Sequence, residues 1–263
     1  MPEIAEVRIM SDYINHHSSG EVFNAAYHVE KGNIPVKFHM SKFRVSSTSS
    51  GKELVVNIND IPIYCFMGMS GNWKYVRTNE WNDTKYTRLR LDNNKGYSLL
   101  MHGGYMGPKY SVGKRFVGGI KRGPDPVKEF EIFKINILDN LQHKDFDKPI
   151  CETLLNQKYF NGIGNYMRST ILYYMDIDPF LESRQTINEN INILDMCRDT
   201  AIRAYKLNGG HLKDWRNPFD SDYQEFRDWV FYQKGTSCKD SIGRTFWFDK
   251  KWKDSCPYGT KDS

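Results

Sequence analysis

Residues 149–180 read PICETLLNQKYFNGIGNYMRSTILYYMDIDPF, and the reading of this stretch decides the fold. Two helical patterns flank GIGN. Gly162 and Gly164 leave backbone N–H groups to point outward where the second helix begins, and Asn165 adds side-chain amide donors at the same place. Donors gathered at the positive end of a helix form a cradle suited to phosphate. GIG alone also occurs in helix-turn-helix linkers that bind nothing, so the weight rests on the whole segment.

Working outward, helical periodicity continues on both sides after Pro126, through VKEFEIFKINILDNL, KPICETLLNQKYF, INILDMCRDTAIRAYKL and DYQEFRDWVFYQ. The stretch TSCKDSIGRTFWFDKKW instead places β-branched and aromatic residues around the turn SIG, which predicts a β-hairpin appended to the helices. Upstream, Val22 to about Leu100 holds runs such as KFRVSSTSSGKELVVNIN and YTRLRLDNNKGYSLLM between Gly, Asn and Ser turns, the pattern of antiparallel strands. A short amphipathic helix opens the chain, with Ile4, Val7, Met10 and Ile14 at helical spacing and Pro2 at its first position. GPDP, residues 123–126, reads as a linker. The fold class expected is α+β in two domains: a β-sandwich with a leading helix over 1–122, and a helical domain over 127–230 followed by a hairpin over 231–258.

Composition narrows the class of function. A net charge of +5 and a pI near 8.8 favour a polyanionic partner without demanding one. No apolar run approaches the roughly 18 residues of a membrane span, and MPEIAEVRIM lacks the features of a secretory or transit signal. Five scattered cysteines without a CxxC pair suit a reducing, intracellular setting, nucleus or cytoplasm.

The opening Pro2-Glu3 takes its meaning from position. An N-terminal amine has a pKa near 7.7–8.0, so a useful fraction is free base at neutrality. Proline's amine is secondary, and its attack on a sugar C1′ gives a charged iminium that acts as an electron sink for later elimination. This chemistry requires removal of Met1, because an acylated proline nitrogen is an amide. By itself, MPE reads more simply as a helix start.

The segment LLxQ…GIGN…IL, together with Pro-Glu after the initiator methionine, resembles the formamidopyrimidine-DNA glycosylase and endonuclease VIII family and its helix–two-turn–helix. The similarity runs in order through PEIAEV, SSGKELVV, GMSG, the two-turn segment and the terminal hairpin. The resemblance implies that Pro2 forms a Schiff base with the sugar and that Glu3 moves protons beside it. Glu6 is its supporting acid, with a solvated helix-start carboxylate as the alternative. It further implies that Lys52 contacts phosphate beside the lesion and that Met69 is an apolar wedge filling the space of an everted nucleotide. A core methionine and a surface lysine are the plainer readings of those two positions. The loop expected to supply further void fillers corresponds to GYMGPKYSVGKRF, where Lys109 and Arg115 are the candidates and no clear match to the family pattern exists.

The hairpin points to a subtype. Bacterial members hold zinc with two CxxC pairs, whereas this hairpin offers only Cys238 and Cys256, too few for a tetrahedral site. DSIGRTFWF instead resembles the zincless finger of the endonuclease VIII-like 1 type, which implies that Arg244 grips phosphate and aids the second elimination. The resulting expectation is a monomeric bifunctional glycosylase and lyase acting on damaged DNA, with no metal and no cofactor. The preferred bases implied are oxidised pyrimidines, formamidopyrimidines and hydantoins. A non-catalytic nucleic-acid-binding protein that keeps the two-turn motif is the rival, and so is a zinc-stabilised enzyme of the bacterial type.

Overall fold

The computed structural model describes residues 1–29, 35–38, 40–104, 106–114, 121–210 and 215–262. The chain forms two compact units, Met1–Gly119 with Asn208–Tyr223, and Ile120–Leu207 with Gln224–Ser263. Residues 208–223, within the sequence-read helical domain, thus group with the first unit.

The first unit begins with α1 (Ile4–Ser18), followed by β1 (Phe23–Val29), β2 (Pro35–Lys37), β3 (Val45–Ser50), β4 (Glu53–Ile58), β5 (Ile61–Phe66), β6 (Asn72–Arg77), β7 (Thr87–Asn93), β8 (Tyr97–His102) and β9 (Lys109–Val112). They form two antiparallel sheets, ordered β2-β1-β7-β8-β6 and β3-β4-β5-β9. Burial alternates along β3 and β4, because successive side chains of a strand point to opposite faces of the sheet. The apolar stripe Ile4, Val7, Met10 and Ile14 is fully buried, and α1 packs on β3, β4 and β6. Asn15 then completes the open edge of β3: its Nδ2 donates to the Ser47 carbonyl at 2.9 Å and its Oδ1 accepts from the Ser47 N–H at 2.7 Å. The helix runs one turn beyond the expected Ile14. Its N-cap is Glu3, so Pro2 precedes the cap rather than occupying the first helical position.

The second unit carries α2 (Phe130–Leu138), α3 (Ile150–Thr153), α4 (Asn165–Tyr174), α5 (Ser183–Glu189), α6 (Ile193–Lys206) and α7 (Gln224–Trp229), then β10 (Thr236–Lys239), β11 (Thr245–Phe248) and β12 (Thr260–Asp262). Every residue of α4 from Tyr166 to Leu172 is buried, as expected of a helix enclosed by its neighbours. The hairpin is one strand richer than its sequence suggests, because β12 pairs with β10 on the side away from β11.

Two local expectations change. Of KPICETLLNQKYF only the first turn is α-helix. The Asn156 carbonyl accepts from the N–H groups of Tyr159 and Phe160, which turns the chain, and the Gln157 side chain is drawn aside by the following loop. GPDP, expected as a linker, lies within the second unit and is pinned there. The Gly123 N–H bonds the Gln157 carbonyl at 2.8 Å, and an added Cβ at Gly123 would meet the Lys158 oxygen at 2.2 Å. Asp125, buried, accepts from the N–H groups of Val127 and Lys128 and so starts the turn that leads into α2.

Candidate active site and nucleic-acid interface

The start of α1 is built around two buried carboxylates. Glu3 and Glu6 form a reciprocal capping box in which the Glu3 side chain accepts from the Glu6 N–H, while Glu6 Oε2 accepts from the Glu3 N–H at 2.7 Å. The other Glu6 oxygen accepts from the Gly210 N–H at 2.9 Å. Glu6 is 0% exposed, so it is not the solvated helix-start carboxylate of the alternative reading, and Glu3 is only 3% exposed. Gly209 sits at φ +67°, and a Cβ there would lie 2.9 Å from Glu6 Oε1. Glycine at that position therefore lets the 208–210 segment close on the carboxylate. Pro2, adjacent to this pair, is also buried. Sequence reading missed Gly209 and Gly210, because a contact across 204 residues leaves no local signal.

Lys52 lies with Gly51 in the two-residue turn joining β3 to β4, where Ser50 pairs with Glu53 and Gly51 takes φ +53°. Its side chain is half-buried. Met69 is carried at a loop tip rather than in the core, at 36% exposure. Gly68 has φ +58°, and its Cα lies so close to a second loop that an added Cβ would meet the Met106 oxygen at 2.2 Å. The Met69 N–H donates to that same oxygen at 3.0 Å. Met106, which the sequence reading did not single out, is 64% exposed with φ +52°, so the joined loops display two methionines. Lys109 is exposed on β9 opposite Phe66, and the neighbouring Tyr110 hydroxyl is engaged with His28 Nδ1 at 2.6 Å. Arg115 lies outside the described residues.

In the second unit, GIGN is a wound turn whose donors are partly spent within it. The Gly162 N–H, at a residue with φ +97°, is taken by Gln157 Oε1 at 3.0 Å, so it braces the turn instead of pointing outward as expected. Gly164 is the extended N-cap of α4. Asn165 is half-buried, its Nδ2 donating to the Thr245 carbonyl at 2.7 Å and its Oδ1 accepting from Arg168. Arg244 stands exposed at the finger turn between β10 and β11, with its N–H held by Asp240 Oδ1 at 2.8 Å. On the far side of that turn Glu152 of α3 accepts from the Ser241 N–H, the Ser241 hydroxyl and the Tyr258 hydroxyl. Burial pushes the Glu152 carboxyl up, but these hydrogen bonds outweigh it and the net shift is downward.

Cys238 is buried on β10 with Cys256 as a hydrogen-bonding neighbour. Burial first, and then Cys256, push its thiol up. Among the described residues no group of three or more His, Cys, Asp or Glu is arranged to hold a metal ion, and no helix is long and apolar enough to cross a membrane.

No family model matches the chain. Solved structures share its architecture: a Lactococcus lactis Fpg variant, crystallised with DNA containing Fapy-dG, superposes with a TM-score of 0.75 over 95% of this chain and 99% of its own, at 18% identity. The fold is therefore the two-domain α+β fold of Fpg. Among curated proteins, mouse endonuclease 8-like 1 is 30% identical over 94% of this chain and 72% of its own length. The human protein of the same name is 29% identical over 99% and 75% respectively. The chain belongs to the formamidopyrimidine-DNA glycosylase/endonuclease VIII family, on its endonuclease 8-like 1 side.

Proposed function

We propose that this chain, a DNA repair glycosylase by family, is bifunctional: it excises oxidised bases and then cuts the strand through a Schiff base on Pro2. The observation that carries this reading is the pair of buried carboxylates beside Pro2. A carboxylate taken out of water and held by fixed donors does little for a protein that only grips phosphate. Next to a secondary amine it supplies a placed proton acceptor and donor. Glu3 is the proton-transfer group, and Glu6 holds the Glu3 backbone and the 208–210 segment in register.

In the proposed sequence the damaged nucleotide is everted, and Met69, with Met106 beside it, occupies the space it leaves. The Pro2 nitrogen attacks C1′ and gives up its proton to Glu3, and the C1′–N bond to the base breaks, the base leaving with a proton. The C1′–O4′ bond then opens, O4′ taking the proton from Glu3, which leaves the ring-opened iminium on Pro2. The iminium then acidifies C2′–H. Loss of that proton expels the 3′ phosphate, and a second elimination expels the 5′ phosphate. Lys52 and Arg244 bear on the flanking phosphates, and no cofactor enters any step. The hairpin's likeness to the zincless finger supports oxidised pyrimidines, formamidopyrimidines and hydantoins as preferred bases. Single-turnover rates on thymine glycol and 8-oxoguanine duplexes test that ranking, and faster excision of 8-oxoguanine would reverse it.

The mechanism itself is tested by borohydride reduction in the presence of DNA bearing an abasic site. Native protein is expected to give a covalent adduct, and a form that retains Met1 none. If native protein yields no adduct while still binding the DNA, the lyase reading fails and a binding module takes its place.

A further inference from the structure

Arg168 is a guanidinium with no exposure, at the centre of the helix–two-turn–helix. Its Nε and Nη2 donate to Asn165 Oδ1 at 3.0 and 2.6 Å, and its Nη1 donates to the Cys151 carbonyl at 3.0 Å. Nη2 also pairs with Asp240 Oδ2 at 2.9 Å, where both side chains are almost wholly buried, and the guanidinium lies 4.6 Å from the centre of the Phe246 ring. Asp240 is the first residue of the finger turn. Its Oδ1 accepts from the N–H groups of Arg244 at 2.8 Å and Ile242 at 3.2 Å, and its own N–H donates to the Arg244 carbonyl at 3.0 Å. On the other side of Arg244, the Thr245 carbonyl accepts from Asn165 Nδ2 at 2.7 Å. The backbone of Arg244 is thus bracketed by two residues, Asp240 and Thr245, both tied to the first turn of α4.

A buried ion pair is a poor source of net stability, since desolvating both charges offsets most of their attraction and an apolar pair of similar volume would hold the two elements together as well. Directional constraint is what an apolar pair would lack. A planar fork hydrogen-bonded to two fixed acceptors, Asn165 Oδ1 and the Cys151 carbonyl, and ion-paired with the Asp240 carboxylate, is held in one orientation. We propose that Arg168 and Asp240 are positioning residues that fix Arg244 against the start of α4, so that the two-turn motif and the finger meet the phosphates as one rigid surface. This inference rests on the role of Arg244 given above.

The test is a double-mutant cycle on abasic-site DNA, read as the ratio of δ- to β-elimination products, with the salt dependence of binding to a tetrahydrofuran duplex as a second readout. Arg168→Lys keeps the charge but loses the fork. It is expected to lower the product ratio roughly tenfold and to flatten the log K against log salt slope by about 1, the share of one phosphate contact. Arg244→Ala should do the same, and the double variant should fall no further than Arg244→Ala alone. A general loss of stability would leave the salt slope unchanged. Should Arg168→Lys prove unfolded by its melting curve, Asp240→Asn, which keeps the turn's acceptor and removes the charge, replaces it in the cycle. Losses that multiply, or a wild-type ratio in the first variant, overturn the positioning role while leaving Arg244 in place. A silent Arg244→Ala overturns both the positioning role and the part of the proposed function on which it rests.

Discussion

The start of α1 and the finger turn solve opposite problems with the same materials. At α1 the carboxylates proposed to serve the reaction are themselves buried, and backbone N–H groups from Glu6, Glu3 and Gly210 satisfy them. At the finger turn the cation proposed to grip phosphate, Arg244, is exposed, and what is buried is the Arg168–Asp240 pair proposed to support it. Proton transfer gains from desolvated groups whose geometry is fixed. Gripping a phosphate gains from a long charged side chain that keeps its own reach while its backbone stays still. The difference predicts where substitutions will hurt stability and where they will hurt only function.

Glu6→Gln should have the largest effect on stability. A glutamine oxygen can serve only one of the two N–H groups that Glu6 holds, and its amide nitrogen would face the other donor. A loss of about 3 kcal/mol is expected from urea unfolding. A loss below about 0.5 kcal/mol would mean that the site tolerates an unmet donor, and the contrast with the finger turn would weaken.

That prediction depends on residues whose importance only partly shows in the sequence. The apolar stripe of α1 and the GIGN turn are legible because their spacing is local and periodic. Glu6 is visible as a carboxylate one turn after Glu3, but its burial is set by Gly210, far along the chain. Arg168 is hidden for a related reason. It lies within the buried run Tyr166–Leu172 of α4, and no periodicity separates an arginine turned inward toward Asp240 from one facing water. α5, of sequence SRQTINE, buries only Ser183, Thr186 and Ile187, too few apolar positions to register as a helical face. β12 gains its strand character from pairing with β10, not from its own residues.

Glu152→Gln should give a smaller and pH-dependent effect. The folded-state carboxyl of Glu152 lies below its ordinary value of 4.5, so its contribution is fully present above that value and is lost as pH falls through the lowered one. The melting temperatures of native protein and variant should therefore differ at neutral pH and converge under acid. A constant gap across that range would show that the charge of Glu152 does not hold the turn. Arg244→Ala should have the smallest effect on stability, within about 0.5 kcal/mol, because its side chain is exposed. A larger loss would mean that the finger turn, like α1, needs its functional side chain in order to fold.

The central claim is that the Pro2 nitrogen carries the sugar. Peptide mapping of borohydride-trapped protein after tryptic digestion reads this directly, since cleavage after Arg8 isolates residues 2–8, PEIAEVR. The nucleotide mass is predicted on that peptide, at Pro2. Finding it instead on a lysine, with Lys52 the first to inspect, would contradict the account.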